Sequence, residues 1–197
     1  MSSLAGATNA PLNRTEANLP SVQIQALLTR LRERQASQQR HTQAVGIIGP
    51  GDGDAQVCAA ARIIARALAS AGMVIVCGGR SGVMAAACQG ASEAGGIAIG
   101  ILPEEDTSAA NPYLTVAIPT GMGEMRNALI ARSSLCLLAI GGGMGTISEM
   151  ALGLKWGKTV FTLHEDLQLP GARRMSSTDE MLIEVIYFLL GSFVGAD

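Results

Sequence analysis

Leu135-Cys136-Leu137-Leu138-Ala139-Ile140-Gly141-Gly142-Gly143-Met144-Gly145-Thr146 decides the fold. Six apolar residues in a row suit a strand buried on both faces, because a half-solvated strand would alternate apolar with polar. The glycines behind it allow a tight turn, and a helical pattern follows to Trp156. The same sequence of run, glycine loop and helix recurs on either side. Residues 44–49 run into Pro50-Gly51-Asp52-Gly53-Asp54 and an alanine-rich helix over 55–71. Residues 73–77 run into Gly78-Gly79-Arg80-Ser81-Gly82 and a helix over 83–94. A run over 97–102 leads to a polar loop, 103–112, and one over 114–118 leads to Thr120-Gly121-Met122-Gly123 and a helix over 124–133. Downstream lie a strand over 159–163 and a final helix over 179–193.

Apolar strands thus alternate with helices at least five times, which predicts a single α/β domain. It is a Rossmann-like, doubly wound parallel sheet with helices on both faces. Right-handed crossovers would collect the strand-to-helix loops along one edge, outside the carboxyl ends of the strands, where such folds bind ligands. The domain should span 43–197. Residues 1–20 carry Ser, Ala, Asn and Pro without period and read as a flexible tail. Residues 21–42 read as an accessory helix with a thin stripe of Val22, Ile24, Leu27, Leu28 and Leu31, docked on the body or on a partner subunit.

Composition narrows the function. Of 197 residues, 48% are apolar and 24 are Gly, too apolar for a disordered chain. The net charge of −2 argues against a nucleic-acid partner, and Arg30, Arg32, Arg34 and Arg40 read as a solvated helix face. Cys58, Cys77, Cys88 and Cys136 each sit in an apolar run without a CxxC pair, so all four read as reduced core thiols of a cytoplasmic protein. His41 and His164 share no ligand spacing, and no metal site is expected. No signal peptide is expected at the N-terminus. The apolar stretch over 181–194 is broken by Glu184 and Gly191 and is short for a membrane span, so no membrane partner is expected.

The glycine loops carry the chemistry. Helix N-termini present free N–H groups and a positive dipole end, and glycine lets a phosphate approach the backbone. Gly141, Gly142, Gly143, Met144, Gly145 and Thr146 form the leading phosphate-binding candidate. Gly78, Gly79, Arg80 and Ser81 form a second, with Arg80 and Ser81 as donors. Gly49 and Gly51 open a third loop, whose Asp52 and Asp54 would face a sugar or base or cap the next helix. Gly121, Met122 and Gly123 lead to Arg126, a cation at a helix start that an anion would have to compensate. Glu149 follows Thr146 by three residues, a spacing that suits a capping box as well as a carboxylate aimed at a ligand. No G-x-G-x-x-G fingerprint opens a helix. Gly157-Lys158-Thr159 is not a P-loop, because its earlier glycine is out of place and a strand follows.

Three motifs together resemble the LOG (Lonely Guy) family, often labelled lysine-decarboxylase-like, over about 45–163. They are Gly78-Gly79-Arg80-Ser81-Gly82-Val83-Met84, Gly121-Met122-Gly123-Glu124-Met125-Arg126-Asn127 and Gly142-Gly143-Met144-Gly145-Thr146-Ile147-Ser148-Glu149. In the enzymes of that family the resemblance implies Glu149 and Arg126 as catalytic residues that hydrolyse the N-glycosidic bond of a nucleoside 5′-monophosphate. A carboxylate suits the oxocarbenium-like state of such cleavage. Gly141 stands where the enzymes have proline, and Asn127 where they commonly have lysine. The wording of the 121–127 motif and the 101–112 loop is closer to the molybdenum-cofactor-carrier-like branch. That branch implies binding of a phosphorylated pterin, with no cofactor required for catalysis. The expected ligand is therefore molybdenum cofactor or a nucleoside monophosphate, with a phosphoribohydrolase and a nucleotide-sensing module as alternatives. The resemblance also implies a homo-oligomer, dimer or tetramer.

Overall fold

A computed structural model describes residues 21–37, 44–164 and 169–192. The expected tail over 1–20 and the end of the expected accessory segment, 38–42, lie outside them. The elements in chain order are α1 (Val22–Ser37), β1 (Ala44–Ile48), α2 (Ala55–Ser70), β2 (Val74–Cys77), α3 (Val83–Glu93), β3 (Ala98–Leu102) and β4 (Val116–Pro119). A 3-10 turn (Gly123–Arg126) precedes α4 (Asn127–Ser133), β5 (Ser134–Ile140), α5 (Met144–Lys155), β6 (Thr159–Leu163), β7 (Arg173–Arg174) and α6 (Thr178–Ser192).

The strands form one seven-stranded sheet in the order β4-β3-β2-β1-β5-β6-β7, and every pairing is parallel. The decisive apolar run is β5, whose residues Cys136 to Ile140 are all fully buried. It pairs with β1 on one side and β6 on the other. The chain winds outward from β1 through β2, β3 and β4, then returns to β5 and winds the opposite way. Right-handed crossovers therefore send helices to opposite faces. The core divides accordingly. Residues of α1, α2, α3 and α6 pack in one cluster, with Ile64, Leu68, Ala87 and Leu182 among them. Ile130 of α4 and Met150 of α5 pack in the other. The doubly wound, Rossmann-like α/β sheet expected from the sequence is the fold observed.

As expected, β3 joins β4 through an irregular loop, 103–115, without a helix. Two local expectations are corrected. The helix expected over 124–133 begins as a 3-10 turn, and α4 proper starts at Asn127. The sequence reading missed β7, two exposed arginines paired to β6 through Phe161↔Arg173 and Thr162↔Arg174. Among the described residues no helix is long and apolar enough to cross a membrane.

Candidate functional site

The sheet order reverses between β1 and β5, and ligands of open α/β sheets bind beyond the carboxyl ends of strands at such a switch point. A cavity of about 390 Å³ lies there, within the range of small-molecule sites. It is lined from the β1 loop by Gly49, Pro50, Gly51 and Asp52, from the β2 loop by Arg80 and Ser81, and from the start of α3 by Met84. Glu124 and Arg126 come from the 3-10 turn, Asn127 from the start of α4, and Gly143, Gly145 and Thr146 from the start of α5.

The loops are fastened to each other. Ser81 Oγ donates to Gly51 O at 2.8 Å, and Val83 N donates to Pro50 O at 3.1 Å. Gly82 has φ +61°, and a methyl group there would sit 2.5 Å from Pro50 O, so only glycine lets these two backbones meet. Asp54 does not face the cavity. It caps α2, its Oδ1 accepting from Val57 N at 2.9 Å.

Arg126 is the unusual residue. It is 5% exposed, and its buried Nε has no hydrogen-bond partner. Among the described residues it forms no ion pair; the two found are Arg62–Glu93 and Arg80–Glu104. A buried, unpartnered guanidinium is costly, and a ligand anion would compensate it. Gly78 makes room for it, since a methyl group there would lie 2.7 Å from Arg126 Nη2. Beside it, Asn127 Nδ2 donates to Ser148 Oγ at 2.7 Å, which leaves the buried Asn127 Oδ1 as a free acceptor.

The N-terminus of α5 faces the same space. Its cap is Gly143, with no side-chain cap, so the first N–H groups of the helix have no acceptor from that residue. The capping-box reading of Thr146 and Glu149 fails, because Thr146 lies inside the helix rather than at its cap. Glu149 is instead buried, 6% exposed. Burial pushes its carboxyl up to about 8, against a downward pull from Arg126 and an upward push from Glu124.

Eight sequence candidates thus line one cavity: Gly49, Gly51, Arg80, Ser81, Arg126, Gly143, Gly145 and Thr146. Nine do not. Gly78 packs behind Arg126, and Gly79, with φ +75°, lies against Gly100 of β3. Gly121 and Gly123 donate to Glu104 O and Pro103 O, and Met122 is 41% exposed. Gly141 donates to Leu163 O, and Gly142 and Met144 are exposed. Glu149 lies beneath the wall rather than on it. Asp52, expected to face a ligand or cap α2, lines the cavity, and Pro50, Met84, Glu124 and Asn127 line it without having been singled out as ligand-binding residues. Their only signal was position, beside glycines in the same motifs. The expected core thiols hold for three cysteines, while Cys58 is only half-buried.

An uncapped helix N-terminus and a buried, unpaired arginine at the switch point of a parallel sheet define the class: an α/β protein with a site suited to an anionic ligand. Comparison with known proteins names the group within that class. The chain matches the SLOG cluster4 family over residues 42–186 and belongs to that family. It is 38% identical over 136 residues to an uncharacterized protein of Archaeoglobus fulgidus, covering 69% of this chain and 89% of that one. The structure resembles the molybdenum cofactor binding protein of Rippkaea orientalis at 34% identity and a TM-score of 0.72, covering 78% of this chain and 99% of that one. It also resembles the Moco carrier protein of Chlamydomonas reinhardtii at 32% identity and a TM-score of 0.70, covering 77% and 99%. The similarity to the LOG-like group and its carrier branch read from the motifs agrees with these matches.

Proposed function

We propose that this chain binds a phosphorylated pterin of the molybdenum cofactor type and releases it unchanged. The observation that carries the reading is Arg126, buried and unpartnered against a cavity that the α5 N-terminus also faces. The phosphate sits against Arg126 and the N–H groups of Gly145 and Thr146, with Arg80 as a second cation at the rim. The carboxylates of Asp52 and Glu124 repel phosphate and accept from N–H groups of the heterocycle. Similarity to two proteins named for molybdenum cofactor supports the choice of ligand. The reading makes the chain a cytoplasmic homo-oligomer, dimer or tetramer, with neither nucleic acid nor membrane as partner.

A second reading rests on Glu149. A buried carboxyl held near pH 8 beside an arginine suits proton transfer in N-glycosidic cleavage of a nucleoside 5′-monophosphate. One set of measurements separates the two. The purified chain is mixed with molybdenum cofactor freed from a donor enzyme, gel-filtered, and assayed for molybdenum and for pterin fluorescence. Co-elution in the wild type and its loss in Arg126→Ala is the expected result. Parallel incubations with nucleoside 5′-monophosphates are chromatographed for free base. Base release that disappears in Glu149→Gln would overturn the carrier reading in favour of a phosphoribohydrolase.

A further inference from the structure

We propose that Cys77 and Cys88 form a reversible intrachain disulfide on exposure to a peroxide, and that its closure loosens the 78–82 loop that contributes to the ligand cavity. The two sulfurs lie 3.4 Å apart, one at the end of β2 and the other on α3. Both residues are fully buried, so their approach is set by the packing of α3 on the sheet and not by chance contact of mobile side chains.

The pair is wired to the loop. Gly79 N donates to Cys77 Sγ at 3.3 Å. Asn111, itself buried, donates through Nδ2 to Cys88 Sγ at 3.6 Å, to Gly79 O at 3.0 Å and to Arg80 O at 3.2 Å. The sulfurs therefore help set the backbone that presents Arg80 and Ser81 to the cavity. Gly78, next to Cys77, is the residue against which Arg126 packs. Met84, whose backbone oxygen lies 4.0 Å from Cys77 Sγ, belongs to the cavity wall.

The pair is also chemically asymmetric. Hydrogen bonds from Cys77 and Asn111 favour the Cys88 thiolate, whereas the hydrogen bond with Cys88, together with burial, holds Cys77 protonated. Cys88 is thus the nucleophile. Its thiolate attacks one peroxide oxygen, the O–O bond breaks, and water leaves after taking a proton. Cys77 then attacks the resulting sulfenic sulfur, an S–S bond forms, and a second water departs with the Cys77 proton. Two thiols are oxidised by two electrons, and one hydrogen peroxide is reduced to two waters. Drawing the sulfurs to bonding distance removes Cys77 Sγ as the acceptor for Gly79 N and Cys88 Sγ as an acceptor for Asn111.

The test uses the full chain, native, treated with hydrogen peroxide and digested with trypsin without reduction. Cleavage falls after Arg66, Arg80 and Arg126, so peptides 67–80 and 81–126 should travel as one species, 2 Da lighter than their sum. Dithiothreitol should part them. Cys88→Ser should abolish the linkage, and Cys58→Ser, which alters a half-buried thiol outside the pair, should leave it. In parallel, amide exchange over 78–82 should quicken by roughly tenfold or more on oxidation and recover on reduction. Peptides that stay separate, or a linkage through Cys58 or Cys136 instead, overturn the disulfide. A Cys77–Cys88 linkage with unchanged exchange over 78–82 overturns its connection to the cavity. Neither readout depends on which ligand the cavity takes.

Discussion

Arg126 and Glu149 place two ionisable groups in the interior, and each makes a prediction. Replacing Arg126 by Met keeps the length of the side chain and removes an uncompensated buried cation. The ligand-free chain should gain about 1–2 kcal/mol, read as a higher urea midpoint, while ligand binding is lost. A lower midpoint would show that Arg126 serves the fold rather than the site. Glu149 predicts a pH dependence of unusual sign. Its carboxyl holds its proton to about pH 8 when folded but titrates near the ordinary 4.5 when unfolded. Between those values the folded chain binds more protons than the unfolded chain, so stability should fall as pH rises through that window and level off above it. Urea denaturation at steps from pH 5 to 9 checks this. Glu149→Gln should flatten the decline and be the more stable chain at pH 8. Both residues were singled out in the sequence by their positions beside the glycine loops. Their burial was not legible there, because Arg and Glu are ordinarily surface residues.

Among the elements, α2 and α3 show what packing adds to pattern. Gly90 lies mid-helix in α3, where propensity alone would favour alanine by about 1 kcal/mol. A methyl group there would lie only 2.1 Å from Arg62 O, a backbone atom of α2, so the two helices meet backbone to backbone. Gly90→Ala should therefore destabilise the protein by about 1–3 kcal/mol. Gly191, near the end of α6, has nothing within 4 Å of such a methyl group, and Gly191→Ala should stabilise by a few tenths to about 1 kcal/mol. Paired thermal melts test both, and equal effects would refute the packing argument. In the sequence these are two identical glycines in apolar helices. Continuous apolar runs such as Leu135–Ile140 made the buried strands readable, whereas β7 is Arg173-Arg174, which no hydrophobic pattern marks. The capping-box spacing of Thr146 and Glu149 misled because the helix starts earlier, at an uncapped Gly143–Met144 junction.

At the scale of the molecule, the α1 layer and the candidate cavity lie in different parts of one fold. Parallel strands and right-handed crossovers were enough to direct attention to the carboxyl edge, where the candidate cavity lies. The crossing between β1 and β5, where the cavity opens, depends on the full strand order. On the α6 side of the sheet, α1 adds a further layer. Its Ile24, Leu27 and Leu31 are buried in the same cluster as Leu182 and Ile186 of α6, and no residue of α1 lines the cavity. Leu31→Ala removes a fully buried side chain and should cost about 2–5 kcal/mol, a large share of the stability of a single domain. The stabilisation that a bound ligand adds depends only on its concentration and affinity for the folded state. Leu31→Ala should therefore lower the melting temperature with and without ligand, and a saturating phosphorylated ligand should still add the same stabilisation as in the wild type. A variant that lost the ligand-induced increment would show that α1 is coupled to the glycine loops across the sheet, and that the layer outside the core belongs to the binding machinery after all.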